Sequence, residues 1–210
     1  MQVKRELVVE PIGVYEESLP RPIDWAQLFG NSNPVELEIG CGKGTFITGQ
    51  AVARPMVNFF GIEWARFYWR YTCDRLRRNG CAANARCIRA DAASFLRDYV
   101  PADSLAAVHI YFPDPWPKAR HHKRRLIQPA FLEQVRRILA PDGRLQIVTD
   151  HSDYWAQIET DVRASPLSVV EYEKPGGAAE GETVGTNFER KYLAAGRAFH
   201  AIAAVKQEGP

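Results

Sequence analysis

The chain has 210 residues, 46% of them hydrophobic and 25% charged, with a formal net charge of +2. These proportions belong to a globular domain and exclude disordered and fibrous classes, and no apolar run approaches the roughly 18 residues of a membrane helix. Residues 1–10 lack the long apolar core of a signal peptide, and Cys41, Cys73, Cys81 and Cys87 form no C-x-x-C pair, so a reduced, cytoplasmic chain with no metal site is expected.

Residues 1–33 are punctuated by Pro11, Pro20 and Pro22 and read as a tail with one short helix near 24–29. Residues 34–210 read as a single domain. Strand Val35–Ile39 is followed by a helix over 44–54, stopped at Pro55. A strand over 57–62 and a helix over 65–79, closed by Gly80, come next. A weak strand at 86–90 leads to helix Ala92–Tyr99. A strand over 105–112 ends at Pro113. A helix over 128–139 is followed by the turn Pro141-Asp-Gly143, a strand over 144–149 and a helix over 153–164. Apolar stretches at 167–173 and 197–205 have no crossover helix between them and suit an antiparallel hairpin. Strands separated by helix-length segments predict right-handed βαβ units and a mostly parallel sheet of about seven strands, with helices on both faces. The stretch 175–187 holds Gly176, Gly177, Gly181 and Gly185 and is expected to be a mobile loop.

The first strand runs into Glu38-Ile-Gly40-Cys-Gly42-Lys-Gly44. Glycines there let the backbone turn tightly and approach a ligand at a helix N-terminus. A dinucleotide fingerprint would need glycine at position 45, which is Thr45. An acid at the strand tip suits a cationic ligand better than a pyrophosphate. Glu63 ends the second strand, where a carboxylate can accept both ribose hydroxyls. Asp91 ends the third, within reach of an adenine amino group. The plainer alternative is that Glu63 and Asp91 only cap the helices that follow them. As a set, the three acids and the glycine turn resemble the S-adenosylmethionine site of class I methyltransferases, a Rossmann-like α/β fold.

The fourth strand leads into Phe112-Pro-Asp-Pro-Trp-Pro-Lys-Ala-Arg-His-His-Lys-Arg-Arg-Leu126. Prolines on both sides stiffen the backbone around Asp114. Lys118, Arg120, Lys123, Arg124 and Arg125, with His121 and His122, concentrate positive charge beside it, as a phosphate-binding surface would; a solvated face is the plainer alternative. This stretch resembles the signature of the bacterial tRNA (guanine-N7)-methyltransferases. The 37–44 segment, Gly61-Ile-Glu63, Val148-Thr-Asp150 and Thr186-Asn-Phe-Glu189 resemble further motifs of that family, in the same order, so the similarity runs from about residue 34 to the end.

The resemblance implies a methyl donor, S-adenosylmethionine, held by Glu38, Gly40, Gly42, Gly44, Glu63, Asp91 and Asp114. Asp114 is implied as the catalytic carboxylate. The substrate would be tRNA, methylated at N7 of the variable-loop guanine at position 46, and met by Lys118, Arg120, His121, His122, Lys123, Arg124, Arg125, Asp150, Thr186, Asn187, Phe188 and Glu189. No metal, membrane or obligatory protein partner is implied. The rival readings are a methyltransferase of an exocyclic amine, since Asp114-Pro-Trp116 partly resembles a [DN]-P-P-[YFW] element, and a non-catalytic RNA-binding protein with the same fold. Trp64, Phe67, Tyr68, Trp69 and Tyr71 crowd the start of the helix over 65–79, with Arg66, Arg70, Arg77 and Arg78. That pattern suits either base stacking or, more commonly, core packing with a wet arginine face. His109 is expected to be buried and hydrogen-bonded.

Overall fold

A computed structural model describes residues 6–176, 178, 180–194 and 196–207. Gly177 lies outside the described residues. Among those described, eight strands form one sheet: β1 (Gly13–Val14), β2 (Val35–Ile39), β3 (Asn58–Ile62), β4 (Ala85–Ile88), β5 (Leu105–Tyr111), β6 (Leu139–Thr149), β7 (Ser168–Val170) and β8 (His200–Val205). The helices are α1 (Trp25–Phe29), α2 (Thr45–Ala53), α3 (Arg66–Arg78), α4 (Ala92–Tyr99), α5 (Pro129–Ile138), α6 (Ser152–Ala164) and α7 (Asn187–Leu193).

The strand order is β1-β4-β3-β2-β5-β6-β8-β7. The first six strands in that order run parallel, and β8 is antiparallel to both β6 and β7. The mostly parallel sheet with an antiparallel edge is therefore observed. Its eighth strand, β1, is two residues long, too short to carry a period that a sequence reading can detect. Gly13 in it leaves no room for a side chain, since a Cβ there would lie 2.1 Å from the Val9 Cγ1 and 3.0 Å from the Trp69 ring.

β2 and β3 are buried along their whole length, as parallel strands covered on both faces must be. One apolar layer, including Phe60, Phe95, Leu132 and Ile158, packs beneath α1, α4, α5 and α6. The other, including Ile12, Ile47, Phe59 and Leu76, packs beneath α2 and α3. All four cysteines are free, buried and part of this second layer. Ile12 and Ile23 from the N-terminal segment are buried in the two layers.

Local chemistry sets the boundaries. Asp24 accepts from the Gln27 N–H and Asp91 from the Ser94 N–H, capping α1 and α4. Pro129 opens α5, where its missing N–H costs nothing. The Pro141-Asp-Gly143 turn lies inside β6 rather than before it. Leu139 pairs with Leu105 and Arg144 with Ala107, and the residues between form a register shift with Asp142 at φ +60°. α7 lies where the sequence pattern predicts no helix.

Candidate active site

The carboxyl ends of β4, β3, β2, β5 and β6 lie side by side on one sheet edge, and the strand order reverses between β2 and β5. Open α/β sheets bind ligands at such a reversal. The topology brings Asp91, Glu63, the 38–44 loop, Asp114 and Asp150 to this edge in that sequence.

Gly40, Gly42 and Gly44 have φ of +81°, +52° and +66°, a region where L side chains are strained. Gly44 also faces Thr72, whose Cγ2 would lie 2.7 Å from an added Cβ. The Thr72 hydroxyl donates to the Gly42 carbonyl at 2.9 Å, fixing the loop to α3. Glu63 fixes it to β3, since one carboxylate oxygen accepts from the Gly42 N–H and the other from the Ala65 N–H, each at 2.8 Å. A carboxylate has about four acceptor positions, so these two bonds leave capacity for a diol.

Glu38 is 5% exposed, and its Oε2 has no hydrogen-bond partner. Burial, reinforced by the nearby Glu63 charge, lifts its pKa to about 8 against the lowering effect of hydrogen bonds from Ile47 and Cys41. An orphaned buried carboxylate beside a glycine turn is the observation that fits a cationic ligand. Burial also pushes the Cys41 thiol up to about 12, so it is neutral packing. Asp91 is exposed at the β4 tip while capping α4 through one oxygen.

Asp114 is exposed between Pro113 and Pro115. Its surroundings are strained: Phe112 and Trp116 have φ of +53° and +44°, which costs each of order 1–3 kcal/mol. Rings hold both in place. Phe112 packs on Phe188 and Phe199 with centroids 4.7 and 5.4 Å away. Trp116 meets His121 at 5.8 Å and carries the Arg124 guanidinium 5.0 Å above its ring.

The basic run forms a short 3-10 helix, Ala119–Arg124. Lys118, Arg120, Lys123 and Arg124 are exposed, and His121 and His122 half-buried. His122 Nε2 lies 3.6 Å from the Asp153 carboxylate. Arg125 does not stand with the exposed cations. It is 3% exposed, donates to the Pro115 carbonyl at 2.8 Å and to Gln157 at 2.9 Å, pairs with Asp153, and lies over the Tyr154 ring. It fastens the 115–125 segment to α6.

Asp150 at the β6 tip accepts from Arg197 at 2.5 Å. Thr186 caps α7 by accepting from the Glu189 N–H at 3.0 Å. Asn187 opens that helix. Phe188 bridges it to Phe112. Glu189 is fully buried, with its carboxylate accepting from the Thr183, Val184 and Gly185 N–H groups. It gathers the end of the 175–187 loop toward the β5 tip, where Val184 packs with Phe46, Tyr111 and Val148.

A further group of polar side chains comes together only in the fold. On β2, one pleat before Glu38, Glu36 takes both arms of Arg54 at 2.8 and 2.7 Å and His109 Nε2 at 3.0 Å. His109 Nδ1 reaches the Tyr111 hydroxyl at 2.9 Å, which donates to Gln146 at 2.9 Å. Burial raises the Glu36 pKa, but the hydrogen bonds from His109 and Arg54 outweigh it and leave the pKa at about 2. The signal was present: two acids alternate in an otherwise apolar strand, Val-Glu-Leu-Glu-Ile. Among the described residues no cluster of three or more His, Cys, Asp or Glu side chains is arranged to hold a metal ion, and no helix is long and apolar enough to cross a membrane.

This strand order, with a glycine turn at its reversal, is a Rossmann-like α/β arrangement. Solved structures agree on the fold. An S-adenosylmethionine-dependent methyltransferase from Aquifex aeolicus matches with a TM-score of 0.57 at 12% identity, over 85% of this chain and 86% of that one. An O-methyltransferase from Thermotoga maritima matches with a TM-score of 0.57 at 14% identity, over 88% and 64%. The Methyltransf_4 methyltransferase family matches residues 32–202. The tRNA (guanine-N(7)-)-methyltransferase of Myxococcus xanthus is 37% identical over 205 residues, 95% of this chain and 97% of that protein. Those of Geobacter metallireducens and Bordetella parapertussis are 43% and 45% identical over 147 and 148 residues, about 70% of this chain and 69% and 58% of theirs. The chain thus spans less than two thirds of the length of some of its relatives, that of Bordetella among them. It belongs to the tRNA (guanine-N(7)-)-methyltransferase family.

Proposed function

We propose that this chain transfers a methyl group from S-adenosylmethionine to N7 of a guanine in tRNA, at position 46 of the variable loop. The observation that carries the reading is the sheet edge itself: the buried, unpartnered Glu38 oxygen beside the glycine turn, with the exposed cations at 118–124 one strand away beyond Asp114.

Glu38, the 40–44 turn, Glu63, Asp91 and Asp114 would hold the donor, which supplies an electrophilic methyl group when bound. Guanine N7 has a lone pair in the base plane and loses no proton, so no side chain need act as a base. The work left to the chain is placement, which alone can supply several kcal/mol of the barrier reduction. The base gains positive charge in the reaction, so a rigid carboxylate at Asp114 stabilises it. Thr186 and Phe188 beside the β5 tip, and Asp150 at the neighbouring β6 tip, would bound the base. Glu189, bonded to three backbone amides, would act by holding the 183–186 wall. Lys118, Arg120, Lys123 and Arg124 would meet phosphates, and Arg125 would position them. The reaction needs no metal and fits a protein working among cytoplasmic tRNAs.

Methylation at N7 makes the base cationic and its glycosidic bond labile. Borohydride reduction followed by aniline should therefore cut the modified tRNA at one variable-loop guanine. A modified tRNA that resists cleavage would mean an exocyclic amine is the acceptor. Asp114→Asn keeps size and removes charge, so it should fold and bind tRNA but turn over about 10²–10³ slower in single-turnover assays at saturating donor. A rise in KM for donor with kcat unchanged would make Asp114 a binding residue only.

A further inference from the structure

The first turns of α3 carry an aromatic patch that the core does not use. Phe67 is 63% exposed and Tyr68 39%. Their rings pack on each other at 5.5 Å, and Phe67 also meets Tyr71 at 6.3 Å. Trp69 alone turns inward, buried at 5% with its indole N–H donating to the Cys87 carbonyl. Core packing therefore accounts for Trp69 and leaves its neighbours unexplained. α3 itself is rich in cations, with five arginines and a single acid, Asp74. Arg66, Arg70 and Arg89 line a cavity of about 740 Å³ between α3 and the N-terminal segment, whose far wall carries Glu6, Glu10, Glu16 and Glu17.

Position gives the patch its meaning. α3 begins three residues after Glu63, at the β3 tip, while the exposed 118–124 cations follow the β5 tip. β2 with its glycine turn is the one strand between β3 and β5. Neighbouring strands are about 4.8 Å apart, so the two surfaces flank the donor crevice roughly 10 Å apart at the level of the sheet. One RNA strand reaching the crevice would pass both.

We propose that Phe67 and Tyr68 form a second RNA surface, on which bases of the bound tRNA stack while Arg66 and Arg70 meet adjoining phosphates. Glu6, Glu10, Glu16 and Glu17, across the cavity that Arg66 and Arg70 line, would bound the path on that side. The inference rests on the tRNA reading above. Exposed rings interleaved with arginines are how sequence-tolerant single-stranded contacts are built, stacking supplying affinity and guanidinium groups the register.

The test compares wild type with Phe67→Ala/Tyr68→Ala, Phe67→Tyr/Tyr68→Phe and Arg66→Gln/Arg70→Gln, using unmodified tRNA transcript for binding and calorimetry for donor affinity. Removing both rings should weaken tRNA binding at least tenfold, leave donor affinity within twofold, and leave the salt slope unchanged, because stacking releases no counterions. The variant that keeps two rings should bind as wild type does. Removing the two arginines should lower the salt slope by about two. The proposal falls if the ring-deleted protein, with donor affinity intact, binds tRNA within twofold of wild type. It also falls if wild type sediments as a dimer that ring deletion splits, which would make the patch a contact between copies. Failure of wild type itself to bind tRNA would instead sink the functional reading on which the inference rests.

Discussion

Burial raises the Glu38 carboxyl to a pKa of about 8. The sign of the consequence follows from linkage. The folded state binds its proton more tightly than the unfolded chain, so the stability it contributes is present below about pH 4.5 and is lost as pH rises toward 8. Glu38→Gln removes that dependence. It should melt at least about 3 °C above wild type at pH 8, with the gap closing toward pH 5; parallel melting profiles would show that Glu38 is not held neutral. The same variant should bind donor more weakly, because the charge it lacks is the one a cationic ligand would draw out. Arg125 gives the opposite lesson. Its neighbours in sequence face solvent, whereas it satisfies the Pro115 carbonyl, Gln157 and Asp153. Arg125→Ala should cost more than about 2 kcal/mol in denaturant unfolding, and Arg124→Ala should stay within about 0.5. Equal costs would return Arg125 to the solvated face.

At the scale of elements, β5 and α7 are joined through Phe112 and Phe188, and α7 is joined to the preceding loop through Glu189. That carboxylate serves three backbone donors, each costing about 1–3 kcal/mol if left buried and unpaired. Glu189→Ala should therefore release the loop without unfolding the sheet. Limited trypsin digestion should cut at Lys174 at least tenfold faster, while the main thermal transition moves little. Unchanged digestion would mean the segment is held by Val184 packing alone. The strained Phe112 before Asp114 belongs to the same assembly, since its ring packs on Phe188 and Phe199.

For the whole molecule, a net charge of +2 understates the field at the crevice, because the cations gather on one edge. tRNA affinity should fall steeply with salt, and Lys123→Ala/Arg124→Ala should flatten the slope by about two if each meets one phosphate. An unchanged slope would leave the run a solvated surface. Much of this was legible in the sequence. The glycine turn, the acids at the strand tips and the βαβ rhythm all follow from local patterns, and helix Ala92–Tyr99 spans the residues that the pattern predicts. What was not legible depends on distant partners. Arg125 looks like Arg124 until residues 28 and 32 positions away are brought to it. β1 is too short to show a period. α7 had a readable signal, Thr186-x-x-Glu189, which is a capping-box pattern, although the glutamate side chain turns to the loop amides rather than back to its cap.

The strand that fills the gap in the sheet is made after both of its neighbours. β8 lies between β6 and β7, so β6 leaves the ribosome with its outer edge unpaired and waits while roughly 50 further residues are translated. At about 5–20 residues per second that wait is roughly 3–10 s. Through it, an open edge backed by Leu145, Ile147 and Val148 offers itself to any passing strand. The fold thus sets a period of vulnerability during synthesis, ended by a single insertion that gives β6 and β7 their partner at once.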